Sequence, residues 1–245
     1  MAATARNTAT LDDLAEKYGD ALLPIELDVT DRAADFAAVE QAHDHFGRLD
    51  VVVNNAGYAE FGFVEELSEQ AARDQLETNV LGALWITQAA LPYLREQRSG
   101  HIIQVSSIGG IVAFPNLGMY HASKWALEGF SQSLAQEVAP LGIHVTLVEP
   151  GGFDTDWSGP SANHADRLPG YEEVHAAVDA ERSKRAALQG NPIASAAALL
   201  KVVDAEEPPL RVFFGSLPLQ LAKAEYESRL RNWEDWQSVA ELAQG

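Results

Sequence analysis

Short apolar runs alternate with longer stretches of helical periodicity along this chain. Leu22 to Val29 (LLPIELDV) reads as a strand, and the β-branched run Val51 to Val53 in LDVVVNNAG reads as another. His101 to Ser107 (HIIQVSS), Ile143 to Gly151 (IHVTLVEPG) and Leu210 to Gly215 (LRVFFG) repeat the theme. Helical segments lie between them. Thr10 is expected to cap TLDDLAEKYG, with Gly19 ending it. Asp31 opens a segment that runs to Phe46 and stops at Gly47. Ser68 opens a longer helix through Thr87, and Met119 to Leu141 forms another. Strands apolar on both faces and separated by helices predict a parallel sheet in an α/β domain. The stretch from Trp157 to Gly170, rich in Ser, Pro, Asn, His and Gly, reads as a mobile loop after a strand. Pro208 and Pro209 separate a helix from the last strand.

Composition narrows the partners. The 245 residues carry a formal net charge of -19, which opposes binding to nucleic acid and to anionic membrane surfaces. No apolar stretch approaches the roughly 20 residues that span a bilayer. There are no cysteines, so disulfides and thiolate metal sites are excluded, in keeping with a reducing cytoplasm. No metal site is expected. The opening MAATARN lacks the apolar stretch of a signal peptide.

The candidate chemistry lies in MYHASKWAL. Tyr120 and Lys124 stand four apart, so on a helix they share a face. Ser107 ends the apolar run upstream and can reach the same point. A free phenol has a pKa near 10, too high to cycle its proton easily at neutral pH. A neighbouring ammonium stabilises the phenolate, so Lys124 is expected to lower that value. Ser107 would hold a substrate oxygen beside the phenol. None of the other tyrosines has a lysine four residues later.

With these residues in place, the chain resembles the short-chain dehydrogenase/reductase family. The likeness runs from Met1 to about Thr155 in motif order and more loosely beyond. Asn54-Asn55-Ala56-Gly57 matches the family's turn after the fourth strand, where Gly57 would let backbone pass close to a cofactor. Asn79 in LETNVLG, with Ser107, Tyr120 and Lys124, matches the family's catalytic tetrad. By resemblance Asn79 holds helix backbone and a water that relays protons to Lys124. Pro150-Gly151 and Thr155 match the turn that binds the nicotinamide carboxamide, and Asp28-Val29 the pair that contacts adenine. Arg6, at the end of the strand in MAATARN, suits a 2′-phosphate and so implies NADP over NAD. Asn7 and Thr8 would add hydrogen bonds to that phosphate. The resemblance therefore implies a Rossmann-like, doubly wound, three-layer α/β/α fold over residues 1–245. Residues 156–190 would form a substrate loop and 216–245 a cover. It also implies a homo-oligomer and a small carbonyl or alcohol substrate.

One family feature is missing. Members begin with a strand, a Thr-Gly-x-x-x-Gly-x-Gly turn and a helix that hold the pyrophosphate. Here the first glycine is Gly19. The chain is therefore expected to start at the second strand, short of about 30 residues on the scale of a βαβ unit. A GTG valine codon read as an initiator would turn a natural VAATARN into MAATARN. The expected order 3-2-1-4-5-6 would then lose its central strand. Three readings follow: an NADP-dependent oxidoreductase, a truncated non-catalytic homologue, or a relative using the same pair for epimerisation or dehydration. Trp157, Leu168, Tyr171, Phe213, Phe214, Leu217, Leu219, Tyr226, Trp233 and Trp236 supply apolar surface for a substrate pocket. The segment Leu217 to Leu230 is amphipathic and is expected to cover the site or pack on a second subunit.

Overall fold

The computed structural model describes every residue except 156, 158, 160, 161, 187 and 188. Among the described residues the long strands form two parallel sheets. β1 (Ala2–Ala5) pairs with β2 (Leu23–Glu26), with Ala2 opposite Leu23. The second sheet has the order β3-β5-β6-β8, from β3 (Val51–Asn54), β5 (Gly100–Val105), β6 (Ile143–Pro150) and β8 (Arg211–Phe214). Its register sets Val52 opposite Ile102, Ile102 opposite Val145, and Val148 opposite Val212. No ladder joins β1 to β3. Val51 is 37% and Val53 44% exposed along β3.

Helices form where capping residues and apolar stripes coincide. In α2 (Arg32–Phe46) the Asp31 carboxylate accepts the Ala33 and Ala34 amides, and Gly47 ends the helix at φ 74°. Ser68 caps α3 (Glu69–Leu76) by accepting the Ala71 amide. A π turn, Glu77–Gly82, links α3 to α4 (Ala83–Gln97), so the long helix expected here is interrupted once. The helix over Met119 to Leu141 is α5 (Gly118–Val138), followed by a 3-10 turn, Ala139–Leu141. The capping role expected of Thr10 is not met. Asn7 accepts the Ala9 amide and starts a 3-10 turn, and the Thr10 hydroxyl donates to the Asn7 carbonyl. α1 (Asp12–Tyr18) therefore begins after Leu11, and it ends at Gly19. Asn7's carboxamide oxygen is thereby occupied.

The main core lies between the second sheet and helices α2, α4 and α5. Leu94, Ala90 and Ile102 are fully enclosed there, with Leu134, Ile143 and Val145 around them. Burying a side chain such as Leu94 contributes about 1.5–3 kcal/mol. Ile25, Leu27, Ala38 and Ala42 tie the two-stranded sheet to α2, with Leu49 and Ile86 packed alongside. Toward the carboxyl end, α8 (Pro218–Asp235) sets Ala222 against Ile108, Ile111 and Val112.

The loop expected to be mobile, 157–170, is tied down where it is described; 156, 158, 160 and 161 lie outside the described residues. β7 (Asn163–His164) pairs with β4 (Glu60–Phe61), and Arg167 bridges to Asp179 at 2.9 Å. Asp179 lies on α6 (Glu172–Ala186). Glu66 holds this region to the segment after β4. Its enclosed carboxylate accepts the Phe63 amide at 2.7 Å, the Leu168 amide at 3.0 Å and His175 Nε2 at 2.6 Å. Burial raises the Glu66 pKa, but the His175 and amide hydrogen bonds outweigh it and bring the group down to about 2.

Gly142 makes the tightest turn, between α5 and β6. Its φ is 75°, and a Cβ there would lie 2.4 Å from the Arg98 carbonyl oxygen. Gly142→Ala must strain the backbone and displace Arg98. We expect a loss of about 1–3 kcal/mol in urea unfolding, with the fold retained by circular dichroism.

Candidate active site

The site forms where β3, β5 and β6 end. Beyond β5, Ser107 caps a short turn, and its Oγ accepts the Gly109 amide at 2.9 Å. The first turns of α5 carry Tyr120, His121, Ser123 and Lys124, all buried. Gly109 lies between Ser107 and Tyr120: its amide donates to Ser107 Oγ, and a Cβ on it would lie 3.1 Å from the Tyr120 ring. Lys124 Nζ donates to the carbonyl of Val105, the last residue of β5, at 2.7 Å. The same ammonium lies 5.8 Å from the centre of the Tyr120 ring.

Asn79 stands behind this group, 1% exposed, at the middle of the π turn. Its Oδ1 accepts the Tyr58 amide at 3.0 Å, and its Nδ2 donates to the Tyr58 carbonyl and to Ser123 Oγ, each at 2.9 Å. Ser123 in turn donates to the Tyr120 carbonyl at 2.7 Å. Asn79 thus holds the strand-end turn at Gly57-Tyr58, not the backbone of its own helix. A π turn adds one residue to the helical repeat and re-aims the side chains after it; here it lies where Asn79 meets Tyr58. Gln75 Nε2 adds a second donor to the Tyr58 carbonyl.

His121 fixes the loop that carries Ser107. Its Nδ1 bonds the Gly109 carbonyl, and its Nε2 accepts the Phe114 amide, both at 2.9 Å. That pair of partners requires the neutral tautomer with the proton on Nδ1, and burial pulls the imidazole pKa down.

Electrostatics depart from expectation. Tyr120 is not acidified: burial pushes its phenol up to about 12, and the Ser107 hydrogen bond only partly offsets this. Lys124, buried alongside, is lowered to about 8, while the charge of Glu128 opposes that shift. The reason is geometric. The ammonium is committed to the Val105 carbonyl and both groups are buried, so desolvation prevails over charge stabilisation.

These groups face a cavity of about 1730 Å³. Asn55, Gly57, Ser107, Tyr120, Lys124, Pro150, Gly151 and Thr155 line it. Buried Asn79 and exposed Ala56 are not among the lining residues. Arg6, Asp28 and Val29 also lie outside it. Val29 packs against Gly82 of the π turn, and the Asp28 carboxylate accepts the Thr30 amide and hydroxyl. Those bonds, with Arg6's charge nearby, hold the Asp28 pKa low. Bare backbone lines the cavity at Gly57, Gly109, Gly151 and Gly152. A Cβ on Gly57 would lie 3.2 Å from Asn79 Oδ1 and 3.5 Å from Lys124 Nζ, and one on Gly151 would lie 3.0 Å from Pro218.

The cavity wall opposite is aromatic. Trp157 meets Tyr120 edge-on at 5.0 Å and Phe61 at 5.4 Å, and Arg182 lies over the Phe61 ring at 4.5 Å. Of the apolar residues expected in a pocket, Trp157, Phe214 and Leu217 line this one. Tyr171 instead donates to Glu65, and Phe213 packs near Ile108. Leu168, Leu219, Tyr226, Trp233 and Trp236 are exposed. Sequence reading missed Ser123, Gln75, His121 and Phe61. Ser123 sits directly before Lys124 and carried the one available signal, a small polar residue on a helix face otherwise buried. Among the described residues no cluster of side chains is suited to hold a metal ion, and no helix is long and apolar enough to cross a membrane.

A parallel α/β sheet with a Ser/Tyr/Lys group at its carboxyl edge defines a dinucleotide-dependent oxidoreductase fold. A family model described as short chain dehydrogenase matches residues 1–166. The oxidoreductase BOA17 of Botryotinia fuckeliana is 40% identical over 97% of this chain and 88% of its own. A short-chain dehydrogenase from Streptomyces avermitilis, solved as a crystal structure, superimposes with a TM-score of 0.90 at 37% identity, covering 99% of this chain and 88% of that one. An alcohol dehydrogenase from the archaeon Thermococcus sibiricus, complexed with 5-hydroxy-NADP, shares the fold at 24% identity and a TM-score of 0.70, over 89% and 86%. The chain belongs to the short-chain dehydrogenase family, oxidoreductases acting on CH–OH and C=O groups with NAD(P). The bare backbone at Gly57 and Gly151 gives the cavity lining the close approach that a dinucleotide cofactor needs.

Asn79→Ala removes three hydrogen bonds that join the Tyr58 turn to α5 and leaves the Tyr58 amide unpaired. We expect a loss of about 2–4 kcal/mol, summing about 1 kcal/mol or more per lost bond, read by urea unfolding. A change under about 0.5 kcal/mol, the range of an ordinary surface substitution, would mean that the turn is held by other contacts.

Proposed function

We propose that this chain interconverts a carbonyl and a secondary alcohol with NADP, and that Asn79, Ser107, Tyr120 and Lys124 carry the proton chemistry. One observation supports this most: Ser107, Tyr120 and Lys124 all line the same cavity, at the carboxyl end of the sheet. Hydride would be supplied or accepted by the nicotinamide of a bound NADP. Ser107 binds the substrate oxygen and fixes it beside the phenol. Tyr120, kept protonated by burial, gives its proton to that oxygen during reduction and takes it back during oxidation. Lys124 offsets the negative charge that develops on the phenol. Asn79 positions the turn through Gly57 and Tyr58 and, through Ser123, the start of α5.

At the nicotinamide end, Asn55, Ala56, Gly57, Pro150, Gly151 and Thr155 are the proposed contacts. Arg6, exposed just after β1, supports a 2′-phosphate and hence NADP over NAD; Asp28 and Val29 are the proposed adenine contacts. The substrate is a small carbonyl or alcohol compound, received by the aromatic wall and by residues of 156–190 and 216–245 within one domain, 1–245. The net charge of -19 disfavours nucleic acid and anionic membrane as partners. The cysteine-free sequence suits the cytoplasm. Self-association is proposed through the exposed side chains Tyr226, Leu230, Trp233 and Leu242 of α8 and α9 (Gln237–Gln244).

Titration of the protein with NADPH and NADH, followed by nicotinamide fluorescence, tests the cofactor reading. Binding of NADPH below about 1 mM, tighter than NADH, is expected. No binding at that concentration would favour a non-catalytic homologue. Tyr120→Phe should leave NADPH binding nearly intact and lower turnover by about 100-fold or more; retained turnover removes Tyr120 from its role. Because Lys124 loses its charge as pH rises past about 8, turnover should fall above that pH. A flat profile from pH 7 to 10 would contradict the role assigned to the ammonium.

A further inference from the structure

Four residues along α5 from Lys124, the same helix face carries Glu128, buried at 6% exposure. Across from it on β6, directly before Pro150, stands Glu149 at 1%. One cation reaches both carboxyl groups. Arg211 Nε lies 2.9 Å from Glu128 Oε2 and 3.4 Å from Glu149 Oε1, and its Nη2 donates to Gln132 Oε1 at 2.8 Å. Glu128 Oε1 and Glu149 Oε1 have no hydrogen-bond partner. Space beside Glu128 is closed by Gly110, where a Cβ would meet Ser106 Oγ at 2.8 Å and Glu128 Oε1 at 3.2 Å.

Two ionised carboxylates have no hydrogen to share, and in contact they repel. Two buried carboxyl groups that share one guanidinium escape that repulsion when one of them holds a proton. Arg211 engages Glu128 more closely than Glu149, so the negative charge settles on Glu128 and the proton on Glu149. The other charged group facing the pair is Lys124, whose ammonium senses the Glu128 charge.

We propose that Glu128 and Glu149 share one proton near neutral pH, and that Glu128, held by Arg211, is the counter-ion that keeps Lys124 an ammonium ion. The counter-ion role rests on the function proposed for Lys124; the shared proton does not. Burial alone draws Lys124 toward its neutral form, and a neutral amine cannot offset charge on the phenol. Burial, then the nearby Glu128 charge, likewise moves Glu149 well above the usual carboxyl range, with Arg211 opposing. A protonated Glu149 also spares β6 an unpaired buried charge beside the turn at Pro150-Gly151. Both glutamates are positioning residues, since they act through Lys124 and through the strand end.

Two measurements on the full chain test this without requiring turnover. The first is infrared spectroscopy of protein labelled with 13C-glutamate, which separates glutamate carboxyl bands from that of the buried Asp35. A protonated-carboxyl C=O band is expected at pH 6 and should vanish in both Glu149→Gln and Glu128→Gln, where the remaining carboxylate pairs with Arg211. Absence of the band in wild type, or its persistence in both variants, overturns the shared proton. The second is NMR titration of 13Cε-labelled lysine, with the Lys124 resonance assigned by its loss in Lys124→Arg. Glu128→Gln should lower the Lys124 pKa by about one unit, the scale of one nearby opposite charge. Glu149→Gln and the charge-conserving Glu128→Asp should each leave it near the wild-type value. An unchanged Lys124 titration in Glu128→Gln overturns the counter-ion role, and an equal shift in Glu149→Gln overturns the placement of the charge. Should Glu128→Gln fail to fold, the wild-type band and the Glu149→Gln pair still decide the proton. Absent NADPH binding would end the functional reading and leave both spectroscopic results standing.

Discussion

A single buried amide holds the site together. Asn79 satisfies both backbone polar groups of Tyr58 and reaches across to Ser123, which in turn holds the Tyr120 carbonyl. Three elements meet there: the turn after β3, the π turn and the start of α5. Without Asn79 the Tyr58 amide would lose its partner, at a cost of about 1–3 kcal/mol, and the Tyr58 carbonyl and Ser123 would each lose one of two hydrogen bonds. The positions of Gly57, Tyr120 and Lys124 relative to one another therefore follow from hydrogen-bond satisfaction more than from apolar packing.

That same enclosure sets the proton energetics. Tyr120 and Lys124 are both buried, and burial favours the neutral form of each. A phenol that keeps its proton is a ready donor. An ammonium close to neutrality is sensitive to whatever charge lies behind it, which gives the Glu128, Glu149 and Arg211 cluster its leverage. Water exclusion strengthens all these terms together, since charges interact more strongly where the surroundings polarise less.

The sheet itself is in two parts. β1 and β2 are joined to the rest through α2 and a small apolar cluster around Ile25, Leu27 and Ala42, not through a ladder to β3. Arg6 and Asp28 belong to that smaller part, away from the lining of the main cavity, whereas Gly57, Ser107 and Thr155 belong to the larger. The two ends proposed for the dinucleotide are thus carried by separate sheets.

Local chemistry was readable in the sequence wherever one residue decides the outcome. Asp31 and Ser68 cap helices because their side chains reach amides two or three residues on, and Gly19 and Gly47 end helices at positive φ. β-Branched and apolar runs marked β3, β5, β6 and β8, and the spacing of Tyr120 and Lys124 placed both on α5. Short or competing signals were not readable. The two-residue pairing of Glu60–Phe61 with Asn163–His164 has no pattern to show, and Thr10 lost the cap to Asn7 because both offer oxygens within reach of the same turn. Nor did the sequence reveal that Asn79 binds Tyr58, that Glu128 and Glu149 meet at Arg211, or that Tyr120 is raised and not lowered. Those outcomes depend on distances between segments far apart in the chain and on the exclusion of water between them. Residue identity specifies which groups carry charge and hydrogen bonds; only the packed chain determines which of them meet, and how little solvent remains to screen them.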